Sequence, residues 1–215
     1  MLRLTVYQEV AHFRIPTIGN PYMTYLLPPP STIYGFLRRI TNYKSINYQN
    51  TQLSIQGKYE GFSIEKERLI LETKKEMKTN IIPIQKLYNS KWIIHIKSSD
   101  KIEDDILTAF EKPNCVLRLG RTEDLIIDYK IEKIEIKEVG LENLDFEYLN
   151  YSIYRKWDKG KYFKGQLFSM FLDSEVDESL RIIGYKPIQL IYSSIWNARD
   201  DIKIWDGLYL ISWLT

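Results

Sequence analysis

Leu2, Leu4 and Val6 alternate with Arg3, Thr5 and Tyr7, the period of a half-buried strand. A long connection, Ala11 to Pro30, follows and carries His12, Arg14, Tyr22 and Tyr25. Connections of that length inside a compact domain are usually functional or poorly ordered. Three prolines, Pro28 to Pro30, then fix an extended approach to a helix, and Ser31 or Thr32 can cap its first amides. Ile33, Phe36, Leu37 and Ile40 recur at helical spacing as a buried stripe, which leaves Tyr34, Arg38 and Thr41 on another face, free to meet a ligand. Strand-like segments come next, Gln52 to Gly57 and Gly61 to Thr73, then a basic stretch from Lys74 to Lys91. Trp92, Ile94 and Ile96 alternate again as a strand. A second helix opens at Ser99 or Asp100, with Ile102, Ile106, Leu107 and Phe110 as its stripe, and cannot pass Pro113. Leu119 ends a short strand at Gly120. A strand or hairpin runs from Leu125 to Val139, its alternation changing phase near Lys133, as at a bulge or tight reversal.

That order predicts an α+β fold: a ferredoxin-like, RRM-like βαββαβ domain over residues 1–140 with an insertion near 74–91. A small β-rich extension over 141–215 is expected to hold Arg155 to Gly165 and a hairpin from Ile202 to Leu210 turning on Asp206-Gly207.

The chain has 215 residues, enough for one good core with an appendage. Its net charge of +2 means that a nucleic-acid site has to come from local clustering. The 30 isoleucines, against 3 alanines, fit a low-GC genome and inflate strand propensity, which discounts that signal. Cys115 is the single cysteine, so no internal disulfide is possible, and with His12 and His95 as the only histidines no zinc cluster can be built. No apolar run is long enough to span a bilayer and no signal peptide opens the chain, so a cytoplasmic protein without cofactor, metal or membrane contact is expected.

Four segments carry candidate chemistry. At the helix entry, Ser31, Thr32 and Arg38 can hold phosphates and Tyr34 can pack on a base or ribose; an ordinary capped helix with solvated arginines is the plainer reading. In Arg118-Leu119-Gly120-Arg121-Thr122, Gly120 permits close backbone approach, Arg121 can pair with phosphate bidentately and Thr122 offers a hydroxyl. The plainer reading here is a surface turn with an Arg–Glu pair to Glu123. The third segment is the basic insertion, with Lys86 and Tyr88, which is otherwise a solvated loop. The fourth is Arg155 to Lys164, where five basic groups interleave with Trp157, Tyr162 and Phe163, as suits single-stranded nucleic acid, or form a merely solvated face.

Pro29-Pro30-Ser31-Thr32 and Leu119-Gly120-Arg121-Thr122-Glu123, with Leu2 to Pro16 ahead of them, resemble the CRISPR-associated protein 5 family, of the repeat-associated RNA-binding superfamily, over residues 2–140. The resemblance implies a subunit of a type I Cascade, in overall appearance subtype I-B. Such a subunit binds the 5′ handle of the guide crRNA, contacts the backbone subunit and the large subunit, and reaches target DNA only through the complex. It implies RNA contacts at Arg14, Ser31, Thr32, Tyr34, Arg38, Lys86, Tyr88, Arg118, Gly120, Arg121 and Thr122, and a β-hairpin thumb, for which Lys74 to Lys91 is the candidate. One subgroup of the family cleaves repeat RNA without metal through tyrosine, lysine and histidine. His95 and Lys97 share a strand face and His12 lies in the first loop, yet no clear counterpart of that subgroup's Lys-His pair is present. The expectation is therefore a non-catalytic subunit, with a metal-independent endoribonuclease as the rival.

Overall fold

The alternation at the N-terminus forms β1 (Leu2–Ala11), which places Leu2, Leu4 and Val6 in the core and Arg3 and Thr5 on the reverse face. The computed structural model describes residues 1–72, 77–138, 147–161, 164–176 and 182–215. Helix α1 (Pro30–Ile40) follows the proline tract. Next come β2 (Gln52–Lys58), β3 (Gly61–Glu72), β4 (Met77–Lys97), α2 (Asp100–Glu111) and β5 (Asp128–Lys133). A short β6 (Lys137–Glu138), a 3-10 turn at Glu147–Asn150, β7 (Ser152–Lys156), β8 (Gln166–Val176), β9 (Ile182–Ser194), α3 (Ile195–Ala198) and β10 (Ile204–Trp205) complete the chain.

The fold is α+β, built on one antiparallel sheet of order β5-β1-β4-β2-β7-β9-β8, with β3 also pairing β4 and a small β6–β10 pair apart from it. Residues after 141, expected as a β-rich extension, supply β7, β8 and β9 to that same sheet. β2 and β3 meet β4 in one register, from Gln52 opposite Lys97 to Glu72 opposite Met77. The two strand-like segments, the basic stretch and the Trp92 strand thus belong to one long ribbon. The insertion expected at 74–91 is placed differently: its residues 74–76 lie outside the described residues, the rest is β4, and the paired arm opens at Gly61. Past Leu87, where pairing with β1 stops, β4 continues for about 30 Å at strand rise, supported by the Tyr22 backbone against Pro83 and Gln85. The phase change near Lys133 is where the chain leaves the sheet between β5 and β6.

One face of the sheet carries the main core. Ile33, Phe36 and Leu37 of α1 pack with Leu4, Leu53, Ile55, Trp92, Ile94 and Ile96, and Phe36 meets Phe110 of α2 edge-on at 6.0 Å. The other face is sealed by the C-terminal segment, with Ile93, Ile153, Ile195 and Leu210 in a second cluster. Polar groups dominate beside it. Asp206 Oδ2 accepts hydrogen bonds from Arg3 Nη1 at 2.7 Å and His95 Nε2 at 3.0 Å, and Gln56 donates to the Leu210 carbonyl at 2.7 Å. The expected turn is present, with Gly207 at φ 94° and the Asp206 amide donating to the Tyr209 carbonyl, so its central pair is Gly207-Leu208 and not Asp206-Gly207.

His95 is fully buried and burial lowers its pKa, ahead of the opposing bond to Asp206, so the ring is neutral. Burial alone would raise the Asp206 carboxyl, but the His95 bond and the amides of Tyr209 and Leu208 hold it far below the usual carboxylate range. Both groups act in one sense. Each contributes stability above its unfolded pKa, about 6.5 for histidine and about 3.9 for aspartate, and loses it as pH falls. The urea midpoint is expected to drop in two steps below these values, and Asp206→Ala is expected to lose roughly 1–3 kcal/mol, by leaving His95 Nε2 without its acceptor and Arg3 with Glu132 alone at 2.7 Å, and to shrink the lower step. An unchanged pH profile in the variant would contradict this account of the seal.

Candidate nucleic-acid interface

Leu119 to Asp124 closes into a loop through the Leu119 amide on the Asp124 carbonyl at 3.1 Å and the Asp124 amide on the Arg121 carbonyl at 3.3 Å. Its inside is filled by the Asp124 side chain, which is fully buried. Oδ2 accepts from the amides of Arg121 at 2.8 Å and His12 at 3.2 Å, and Oδ1 accepts from Arg121 Nη2 at 3.3 Å. Gly120 sits at φ 110°, and a Cβ there would lie 2.7 Å from Asp124 Oδ2 and 3.1 Å from the His12 carbonyl. The glycine therefore makes the loop possible, by conformation and by space.

Helix α1 begins at Pro30 with Pro29 in the capping position, and no side chain caps it. Ser31 and Thr32 are not caps as expected. Proline at the first position has no amide to satisfy, and the Pro29 carbonyl already takes the amides of Thr32 and Ile33, so both hydroxyls lie in the first turn, partly exposed. They meet the Arg118–Thr122 loop there. One cavity of about 360 Å3 is lined by Arg14, Ser31, Thr32, Gly120 and Arg121 among others. A second of about 390 Å3 is lined by Thr32, Gly35, Arg39, Arg118, Arg121 and Thr122 among others. Thr32, Gly120 and Arg121 border both, so the two motifs share one cleft.

The cations of this cleft differ in how far they are engaged. Arg121 pairs with Glu67 of β3 at 2.9 Å, Glu123 at 2.9 Å and Asp124 at 3.3 Å. Burial lowers its pKa, but Asp124 and then Glu67 raise it further, and its Nε is enclosed without a hydrogen-bond partner among the described residues. Arg14 is exposed, its guanidinium 3.8 Å from the Tyr22 ring centroid. Arg118 is half-buried and Arg39 exposed, and neither has an ion pair among the described residues. Glu67 also binds Lys86 at 2.6 Å, so it links the β3–β4 ribbon to the cleft. Lys86 further pairs with Glu65 at 2.9 Å, and the Tyr88 hydroxyl donates a short bond to the same carboxylate, which holds Glu65 below its usual pKa.

Tyr34 and Arg38 do not line the cleft, and instead of lying on a free face as expected both are engaged elsewhere, Arg38 at the edge of a separate cavity beside Asp173 and Ser174. Tyr34 is 0% exposed with its hydroxyl donating to the Thr51 carbonyl at 2.7 Å. Arg38 is buried against β8, bonded to Asp173 at 2.9 Å, Ser174 at 2.9 Å and the Ile46 carbonyl at 3.2 Å. Packing of residues 46–51 and β8 against α1 takes both side chains. In the fourth segment Arg155 is likewise buried, on Ser193 and Asp201, Lys161 pairs with Asp158, and Tyr162 and Phe163 lie outside the described residues. Glu67 and Arg39 were not anticipated. Arg39 was open to inference, since Thr32, Gly35 and Arg39 are spaced i, i+3, i+7 along one face of the helix.

His12 Nδ1 lies 2.7 Å from the Gln85 carbonyl, and burial lowers the pKa of this ring as well. Among the described residues no group of three His, Cys, Asp or Glu side chains could hold a metal ion, and no helix is long and apolar enough to cross a membrane.

No protein-family model matches the chain, and no curated protein matches it by sequence. Solved structures do. A chain of a structure described as a CRISPR RNA-guided surveillance complex is similar at TM-score 0.56 and 10% identity, over 90% of this chain and 89% of that one. A structure described as a Cas protein is similar at TM-score 0.55 and 9% identity, over 92% of this chain and 96% of that one. At such identities the likeness is one of fold.

Two glycines on the cleft should respond oppositely to a methyl group. Gly120→Ala is expected to cost roughly 1–3 kcal/mol, because the residue must hold its positive φ beside a buried carboxylate. Gly35→Ala, in the helix interior with open space over it, is expected to gain up to about 1 kcal/mol. Urea denaturation of both variants checks the signs.

Proposed function

We propose that this chain is a non-catalytic subunit of a type I CRISPR surveillance complex (Cascade), holding the 5′ handle of the guide crRNA in the cleft between α1 and the Arg118–Thr122 loop. The observation that carries the proposal is the convergence of the two motif segments, distant in sequence, on cavities that share Thr32, Gly120 and Arg121. Hydroxyls and arginines around an open cleft suit a phosphate backbone. The fold likeness to a chain of a CRISPR RNA-guided surveillance complex supports the same reading. So does the order β5-β1-β4-β2 with α1 following β1 and α2 following β4, which matches a ferredoxin-like βαββαβ unit with β3 inserted.

In this reading the outer part of the β3–β4 ribbon serves as the thumb. The chain caps the backbone filament beside the large subunit, meets target DNA only through the complex, and works in the cytoplasm, in subtype I-B. The burial of His95 supports the non-catalytic assignment, because metal-free cleavage needs a base within reach of a ribose hydroxyl, and His12, which borders the 360 Å3 cavity, has its Nδ1 engaged at 2.7 Å by the Gln85 carbonyl.

The test uses the full chain with single-stranded RNA from its own CRISPR repeat, in magnesium and in chelator. Binding without cleavage is expected, and products with a cyclic phosphate end would establish the endoribonuclease instead. Arg121→Ala should weaken binding and make the slope of log K against log salt shallower by about 0.7, the release expected for one phosphate contact on a single strand. Unchanged affinity and slope, with folding intact, would remove the cleft from the RNA path.

A further inference from the structure

Phe171 of β8 and Tyr185 of β9 lie face to face, ring centroids 4.3 Å apart and planes 20° from parallel. Among the described aromatic contacts this is the one stacked pair; core pairs such as Phe13–Trp92, at 5.8 Å and 67°, and Tyr25–Phe168, at 5.6 Å and 79°, meet edge-on. Neither Phe171 nor Tyr185 belongs to a core cluster, and Tyr185 is 49% exposed. Both line the 360 Å3 cavity that also holds Arg14, Thr32 and Arg121, and among the described residues no carboxylate side chain lines it. A half-exposed aromatic ring stacked on a second ring, beside cations and hydroxyls, fits recognition better than burial.

We propose that Tyr185, backed by Phe171, is a base-stacking subsite: one unpaired base of a single-stranded RNA lies on the tyrosine ring while its flanking phosphates meet Arg14 and Arg121. The proposal rests on the RNA-binding reading above and adds the moiety recognised at this end of the cleft. Single-stranded RNA is gripped by such pairing of stacked bases with backbone cations, and a ring has a face for every base. The volume lies within the roughly 300–1,000 Å3 of ligand clefts, which suits a single nucleotide.

The experiment titrates the full chain into a repeat-derived single-stranded RNA of about ten nucleotides, within the usual site sizes, carrying 2-aminopurine at each position in turn. One position should be quenched on binding, and quenching should persist with Tyr185→Phe and vanish with Tyr185→Ala. Tyr185→Ala should also weaken binding about 5- to 150-fold, the range for losing one stacked base. An abasic residue at the quenched position should cause the same loss, with no further loss in the double change. If the chain binds and Arg121→Ala weakens it while Tyr185→Ala changes neither affinity nor fluorescence, the subsite is overturned and the RNA-binding reading stands. If the unmodified chain does not bind the RNA, both fall together. Equal loss with Tyr185→Phe and Tyr185→Ala would point to the hydroxyl and also overturn stacking.

Discussion

The cleft is built around one buried carboxylate. Asp124 takes the amides of His12 and Arg121 and the Arg121 guanidinium, and so joins the end of β1 to the loop that carries the candidate anchor. Gln8 of β1 reinforces the join by donating to the carbonyls of Leu119 and Asp124, each at 2.9 Å, while its own amide oxygen accepts from Trp92 Nε1 at 2.9 Å. Gly120 has to be glycine because that carboxylate occupies the space of a side chain. An arginine held this way is oriented before any ligand arrives, so little of its side-chain freedom is left to lose on binding.

The position of α1 depends on a comparable contact on its far side. Arg38 and Asp173, both buried, tie the helix to β8, and Tyr48 lends its amide to the same aspartate at 3.3 Å. Buried ion pairs of this kind contribute more to placement than to net stability. The helix start, and with it Ser31 and Thr32, is thereby set against the loop by an interaction outside the cleft. The helix is held between a core stripe, an ion pair on one flank and the open cleft on the other.

How much of this was legible in the sequence follows from which contacts are local. The stripe Ile33, Phe36, Leu37, Ile40 and the alternation in β1 are properties of neighbouring residues, and both elements formed as read. The second face of α1 was misread because its cover, β8, comes more than a hundred residues later, and periodicity reveals a face without saying what packs on it. Residues 74–91 read as an insertion apart from the Trp92 strand because the strand has different neighbours along its length, so no single alternation runs through it. The motif residues Thr32 and Arg121 were legible as candidates. Their meeting was not, since it depends on how the sheet brings the end of β1 beside α1.

The single register of β2 and β3 on β4 has a mechanical consequence. Trp92, Ile94 and Ile96 sit in the middle of the sheet, and Lys86 and Tyr88 sit on the outer arm of the same strand. A slip of one residue anywhere along that ladder would turn the three core side chains to the wrong face. The arm therefore cannot slide in register independently of the core. Any force applied to it is transmitted along β4 as along a lever, and whatever grips the arm grips the central strand of the molecule.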